Sequence, residues 1–209
     1  YSNIHLLDNS TYELSVDDED ILIVGSIDWT ELPNKSTGGL NDFNRIYKDG
    51  SKITVDGFNK IAIECKSYID KILKENMDKT IIMLTHFPPT SGTSHIKYEI
   101  MEQPAMFKAY FKNYYDLSDD KYKPIVVWLS GHTHYSYDFE RNDIRCIGNQ
   151  YGYPDENVKH SNGVYDLDIF LHGTNTDNLT VTEISVHKED GTARYGWQEE
   201  NGIWAKKYN

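Results

Sequence analysis

Cysteine, proline and positive charge are all scarce in this chain. Only two cysteines, Cys65 and Cys146, occur in 209 residues, far apart and in no CxxC pattern. A disulfide framework is therefore not expected, and a reducing, cytoplasmic setting is. No apolar run approaches the roughly 20 residues of a membrane span. The chain opens at Tyr1 with neither an initiator Met nor a signal peptide, so its true start is expected elsewhere. Asn-x-Ser/Thr triplets at Asn9, Asn34 and Asn178 carry little weight without a secretion signal. Basic residues number 21 against 33 acidic ones, a net charge of −12. Such a surface repels a phosphate backbone and argues against general nucleic-acid binding and against an anionic membrane. A phosphorylated small substrate stays open, because bound cations reverse a local field. There is no Gly-x-Ser-x-Gly and no phosphate-cradling P-loop, so serine-hydrolase and nucleotide-kinase chemistry have no support.

What is present is an ordinary globular composition, 38% apolar and 26% charged, long enough for a real core. No repeat interrupts it, and the acidic run 17–20 reads as a solvated turn. Residues 21–25 and 125–129 are short apolar runs that read as buried strands, as does Thr80-Ile-Ile-Met-Leu-Thr85. Residues 31–51, with Pro33, Gly38, Gly39 and Gly50, read as a long loop. Phe58, Ile61, Cys65, Ile69 and Ile72 recur at helical steps and predict an amphipathic helix over 56–74, with Asp56 as its cap. Residues 104–115 can form a second helix with Pro104 in its first turn. Alternating helix and strand predict an α/β fold. Beyond Ile144 the character changes: 164–170, 179–186 and 192–206 read as strands, with hairpin turns at Asp190-Gly191 and Asn201-Gly202. The expected organisation is a domain over 1–170 and a β-hairpin extension over 171–209. The extension covers a sheet edge or docks a partner.

The sharpest chemical feature is Gly131-His132-Thr133-His134, directly after a buried strand. In an extended segment two histidines one residue apart face the same side and can reach one metal or two adjacent ones. Gly131 permits close backbone approach. His86 holds the same place at the end of another apolar strand, followed by Pro88-Pro89. Ligand crevices of open α/β sheets lie beyond the carboxyl ends of strands, and neutral imidazole suits Zn, Fe, Ni and Co.

Thr85-His86-Phe87-Pro88-Pro89 and Ser130-Gly131-His132-Thr133-His134 resemble the last two signature motifs of the calcineurin-like metallophosphoesterases. Gly25-Ser-Ile-Asp-Trp29-Thr30 and Asn149-Gln-Tyr-Gly152-Tyr153-Pro154-Asp-Glu156 resemble supporting segments of one bacterial-type branch, and the likeness runs from about residue 4 to about 170. The resemblance implies a two-sheet sandwich flanked by helices and a dinuclear hydrolase of phosphate esters. It assigns His86 and His132 to one divalent ion and His134 to the other, among Mn, Fe, Zn, Ni or Co. Paired cations clamp the attacking and leaving oxygens, and no covalent enzyme intermediate is required.

The family's upstream Asp-x-His, Gly-Asp and Gly-Asn-His motifs are absent, and with them the catalytic histidine and the bridging carboxylate; His5 falls just beyond where the last would lie. Two dications a few ångströms apart repel without that carboxylate. The chain is therefore expected to be inactive or weak alone, an incomplete metallophosphoesterase-like unit whose amino-terminal strands are missing: a fragment, a split protein or a cleaved chain, with its own amino-terminal segment, as a separate chain, a candidate partner. One alternative is a non-catalytic scaffold for a partner. Another is a mononuclear three-histidine site at His86, His132 and His134. Among other candidates, Trp29 and Tyr98 could line a pocket or sit in the core, and Asn149 and Tyr153 could shape the site rim. Asp28 and Glu31 read as acid–base groups or, more plainly, as loop carboxylates on an acidic surface. His95 reads as solvent-facing, His5, His160, His172 and His187 as structural or exposed, and Cys146 as a small buried hydrophobe.

Overall fold

The computed structural model describes residues 4–16, 19–33, 40–94, 112–150 and 152, and the backbone alone of 184–187, 193–200 and 203–208. Two compact units divide the chain, Tyr1–Asn162 and Gly163–Asn209.

In the first unit, β1 (Ser10–Val16), β2 (Glu19–Ser26), β5 (Thr80–Thr85), β6 (Ile125–Ser130), β7 (Tyr137–Arg141) and β8 (Ile144–Gly148) form one six-stranded sheet ordered β1-β2-β5-β6-β8-β7. The four central strands run parallel, and β1 and β7 close the two edges antiparallel. All three apolar runs of the sequence are central strands. Buried on both faces, they read as continuous hydrophobic stretches rather than alternating ones. β7 and β8 had no comparable signal. Their turn, Asn142-Asp143, has φ of 51° and 62°, the double left-handed geometry that a tight hairpin needs. The mixed α/β class is as expected. Among the described residues, however, the first unit holds one large sheet and a small ribbon, without a second sheet packed face to face.

α2 (Val55–Glu75) is the long helix read from the sequence. Its cap is Thr54 and not Asp56: the Thr54 hydroxyl accepts from the Gly57 N–H at 3.1 Å, while Asp56 lies inside the first turn. Asp56 there still complements the helix dipole. Ile69 and Leu73 on its buried face pack with Leu22, Val24, Ile81 and Met83 of the sheet. Val55 and Phe58 pack in a second cluster with Leu32, Phe43 and Phe87. The reading of 31–51 as loop is corrected: the segment contains α1 (Asp42–Arg45) and an exposed two-stranded ribbon, β3 (Tyr47–Lys48) and β4 (Ser51–Lys52). Phe43 and Ile53, apolar residues inside a polar stretch, anchor it. The predicted helix 104–115 ends differently, because 112–115 are irregular; residues 104–111 lie outside the described residues. A short 3-10 turn, η1 (Asp120–Tyr122), leads into β6.

The second unit contains β9 (Ile184–His187), β10 (Ala193–Glu200) and β11 (Ile203–Tyr208) in an antiparallel sheet ordered β11-β10-β9. Both expected hairpin turns fall between these strands. The predicted strand at 164–170 lies outside the described residues. No helix among the described residues is long and apolar enough to cross a membrane.

Thr54→Ala removes a side-chain cap and is expected to destabilise the first unit by about 1 kcal/mol, whereas Asp56→Ala should cost only a few tenths. Urea denaturation of the two variants checks the order.

Candidate metal-ligating site

β5 and β6 lie side by side and parallel, in register to their last pair, Thr85 opposite Ser130. The next residues continue the contact: the Gly131 N–H donates to the His86 carbonyl at 3.0 Å. A Cβ on Gly131 would stand 3.4 Å from His86 Nδ1, an ordinary van der Waals contact, so the space at this strand end does not itself demand glycine. The outcome is a contact between two of the three predicted ligands, with His132 Nδ1 3.2 Å from His86 Nε2. Two nitrogens about 2.05 Å from one tetrahedral ion stand about 3.3 Å apart, so the spacing also suits a shared cation. Phe87 packs against His132, ring centroids 4.1 Å apart, and against His86 at 5.2 Å. His86 is exposed by area, but desolvation of its ring, aided by the nearby His134 charge, lowers its pKa below the usual 6.5. That keeps the imidazole neutral, the form that ligates.

His134 does not behave as the sequence pattern expected. The segment is not extended: His132 has φ 72° and His134 φ 49°. Left-handed backbone at two non-glycine residues breaks the strand alternation that would have put both rings on one side. Among the described residues, no three His, Cys, Asp or Glu side chains converge as a metal site. The residues present fit two ligands of one cation.

Several supports had no signal that sequence reasoning could use. Thr133 Oγ1 donates to the Thr93 carbonyl at 2.6 Å and joins the two histidine-bearing loops. Arg141 Nη1 donates to Thr90 Oγ1 at 2.6 Å and to the Ser91 carbonyl at 3.0 Å, holding the loop after Pro89 against β7. In the segment picked out after β8, Asn149 is exposed, and its neighbour Gln150 is the buried residue, donating through Nε2 to the Ser130 carbonyl at 2.9 Å. Ser130 and Tyr137 share a short hydroxyl–hydroxyl bond beneath the site. His5 is exposed, stacked on Tyr12. His95, Tyr98, Tyr153, His160 and His172 lie outside the described residues, as does the His187 side chain.

Asp28 is a clear correction. It is no surface carboxylate but fully buried, with φ 55°. Tyr115 donates to its Oδ1 at 2.6 Å, Asn113 Nδ2 donates to its carbonyl at 2.8 Å, and Oδ2 has no partner among the described residues. Burial pushes its pKa up to about 7, and the Tyr115 and Asn113 contacts offset this only in part. Trp29 next to it packs on Phe58 and Phe87 and is a core-facing aromatic. Cys146 is fully buried, as expected, and burial pushes its thiol up to about 11.

No family model matches this chain. The uncharacterized protein L509 of Acanthamoeba polyphaga mimivirus is 34% identical over 192 residues, covering 86% of this chain and 64% of that protein. The chain thus spans less than two thirds of its relative's length. Among solved structures, the phosphopantetheinyl hydrolase of Mycobacterium tuberculosis is similar at TM-score 0.45 and 14% identity, over 69% of this chain and 54% of that one.

The buried carboxyl sets a pH dependence. Asp28 titrates near 3.8 when unfolded and near 7 when folded. Between those values the folded chain keeps a proton the unfolded chain has released. Stability therefore falls as pH rises through this window, by up to about 1.4 kcal/mol per unit, and levels off above it. Asp28→Asn is expected to remove this slope when denaturant midpoints are compared from pH 4 to 8.

Proposed function

We propose that this chain carries the histidine portion of a divalent-metal site that hydrolyses phosphate esters. The observation that supports it is the contact of His86 with His132 at the carboxyl ends of adjacent parallel strands, within the two motifs that resemble those of metallophosphoesterases. His86 Nε2 and His132 Nδ1 would hold one cation, and His134 a second. The ions would be Mn, Fe, Zn, Ni or Co, and they would supply charge neutralisation at the phosphoryl oxygens. The carboxylates and the catalytic histidine would come from the chain's own amino-terminal segment, added as a separate chain, which would also complete the two-sheet sandwich. The substrate is a phosphate ester.

One observation favours a second reading, a non-catalytic scaffold that binds a partner: among the described residues no three ligating side chains converge. The same observation weighs against a mononuclear site built from His86, His132 and His134 alone.

Metal content per chain and turnover of a chromogenic phosphodiester with added Mn separate the readings. The expected result is weak metal binding, reduced roughly tenfold or more by His132→Ala, with no turnover until the amino-terminal segment is supplied. Two tightly held metals with turnover by the 209-residue chain alone would contradict the incomplete site. Metal binding restored by the segment, with hydrolysis still absent, would leave the scaffold reading.

A further inference from the structure

Three segments of the first unit meet around one carboxyl group. Asp28 lies just past the end of β2, where its N–H donates to Ser26 Oγ at 3.0 Å. The Phe87 N–H, next to His86, donates to the carbonyl of its neighbour Ile27 at 3.1 Å. From the 112–115 segment, Asn113 Nδ2 donates to the Asp28 carbonyl at 2.8 Å and the Tyr115 hydroxyl to Oδ1 at 2.6 Å. The backbone N–H groups of the same two residues donate to the Pro88 and Pro89 carbonyls, in the loop that follows His86. Asp28 therefore fastens the 112–115 brace, and the brace fastens that loop.

The fastening suits a neutral acid and not a carboxylate. Asp28 is 0% exposed, and among the described residues its Oδ2 has no hydrogen-bond partner. A carboxylate there would keep a full charge out of water with one side-chain hydrogen bond to compensate it. A protonated carboxyl avoids that charge at the lesser cost of one unpaired hydroxyl. The surrounding groups do not restore the balance. Lys66 of α2 is the cation whose charge reaches Asp28, and it is exposed, so solvent screens it. Asp70 of the same helix opposes it, although Lys121 holds that carboxylate at 2.8 Å. Tyr115 and, from η1, Tyr122 stay protonated, because burial holds both above their ordinary 10. Burial likewise pushes Asp28 itself up to about 7, against 3.8 for the solvated side chain.

We propose that Asp28 is a pH-sensitive latch on the loop that follows His86: as a neutral acid it keeps the 112–115 brace closed, and its ionisation favours release of the brace while the sheet and α2 stay folded. The loop beside the candidate histidines is thus held firmly in acid and loosened as pH rises to neutrality. The sign follows from the proton count, since between the two values the closed brace keeps a proton that the released one has lost. The latch operates in the metal-free chain, so it stands or fails independently of the hydrolase reading.

Native-state amide exchange of the full metal-free chain from pH 4 to 8 tests it, with rates corrected for the base catalysis of exchange itself. Protection at the Asn113 and Tyr115 amides is expected to lie below that at Met83 and Ile69, the mark of a local opening. It should fall by up to about tenfold per pH unit between pH 4 and 7 and level off above. Asp28→Asn puts a neutral isostere at a left-handed position that asparagine tolerates, so it should fold and show protection at Asn113 and Tyr115 that does not change with pH. The proposal is overturned if Asn113 and Tyr115 are protected as strongly as Met83 at every pH, so that the brace opens only with the whole fold. It is also overturned if their protection in the parent does not change with pH, or if Asp28→Asn keeps the parent's slope.

Discussion

Past a register shift between Ile81 and Ile82, the hydrogen-bonded ladder between β5 and β6 runs without interruption from Ile82 opposite Val127 to Thr85 opposite Ser130, and the Gly131 N–H extends it to the His86 carbonyl at 3.0 Å. Nothing else in the first unit has as much consequence for chemistry. Parallel strands end at the same level and deliver their following residues to one place. The ladder therefore converts two histidines distant in sequence into a pair with ring nitrogens 3.2 Å apart. It depends in turn on what packs beneath it. Met83 and Trp128 sit opposite one another in the two strands, both fully buried, and Trp128 donates through Nε1 to Thr85 Oγ1 at 2.9 Å. Gln150 holds the end of β6, and Thr133 ties the second histidine loop to the first. A shift of one residue in this register would move the two histidines apart.

How far the sequence could be read depended on whether the signal was local. Runs such as Ile81-Ile82-Met83 are continuous because both faces of a central strand are covered, so they stand out. The 3.6-residue recurrence of Phe58, Cys65 and Ile69 identified α2 for the same kind of reason. β7 was obscure because an edge strand carries alternating exposed residues, Asp138 and Glu140, that look like loop. The Thr54 cap was missed because Asp56 offered an equally good capping side chain two residues later, and only backbone geometry decides between them. At the candidate site the histidine pair was legible from strand ends, but the non-extended backbone of the segment was not: His132 and His134 are left-handed, which imidazole-bearing residues seldom signal in advance.

Asp28 shows the limit most clearly. In the sequence it is one acid among many in an acidic chain. In the fold it is fully buried and held by Tyr115 and Asn113, which lie in the irregular 112–115 segment where a helix end was expected. The irregular path of 112–115 has a physical explanation in these bonds. Its backbone N–H groups at Asn113 and Tyr115 donate to the Pro88 and Pro89 carbonyls at 2.8 and 3.0 Å. A helix would have turned those donors inward along its own axis. The segment thereby braces the loop that follows His86, and the buried acid is a consequence of that bracing.

The central claim is that the β5–β6 register poises His86 and His132 to share one cation. Nitrogen-15 imidazole shifts of the two residues during a zinc titration test it most directly. The account predicts that His86 Nε2 and His132 Nδ1 shift together, with the same midpoint, and that His132→Ala abolishes the response of His86. Independent midpoints, or a response confined to one ring, would contradict it.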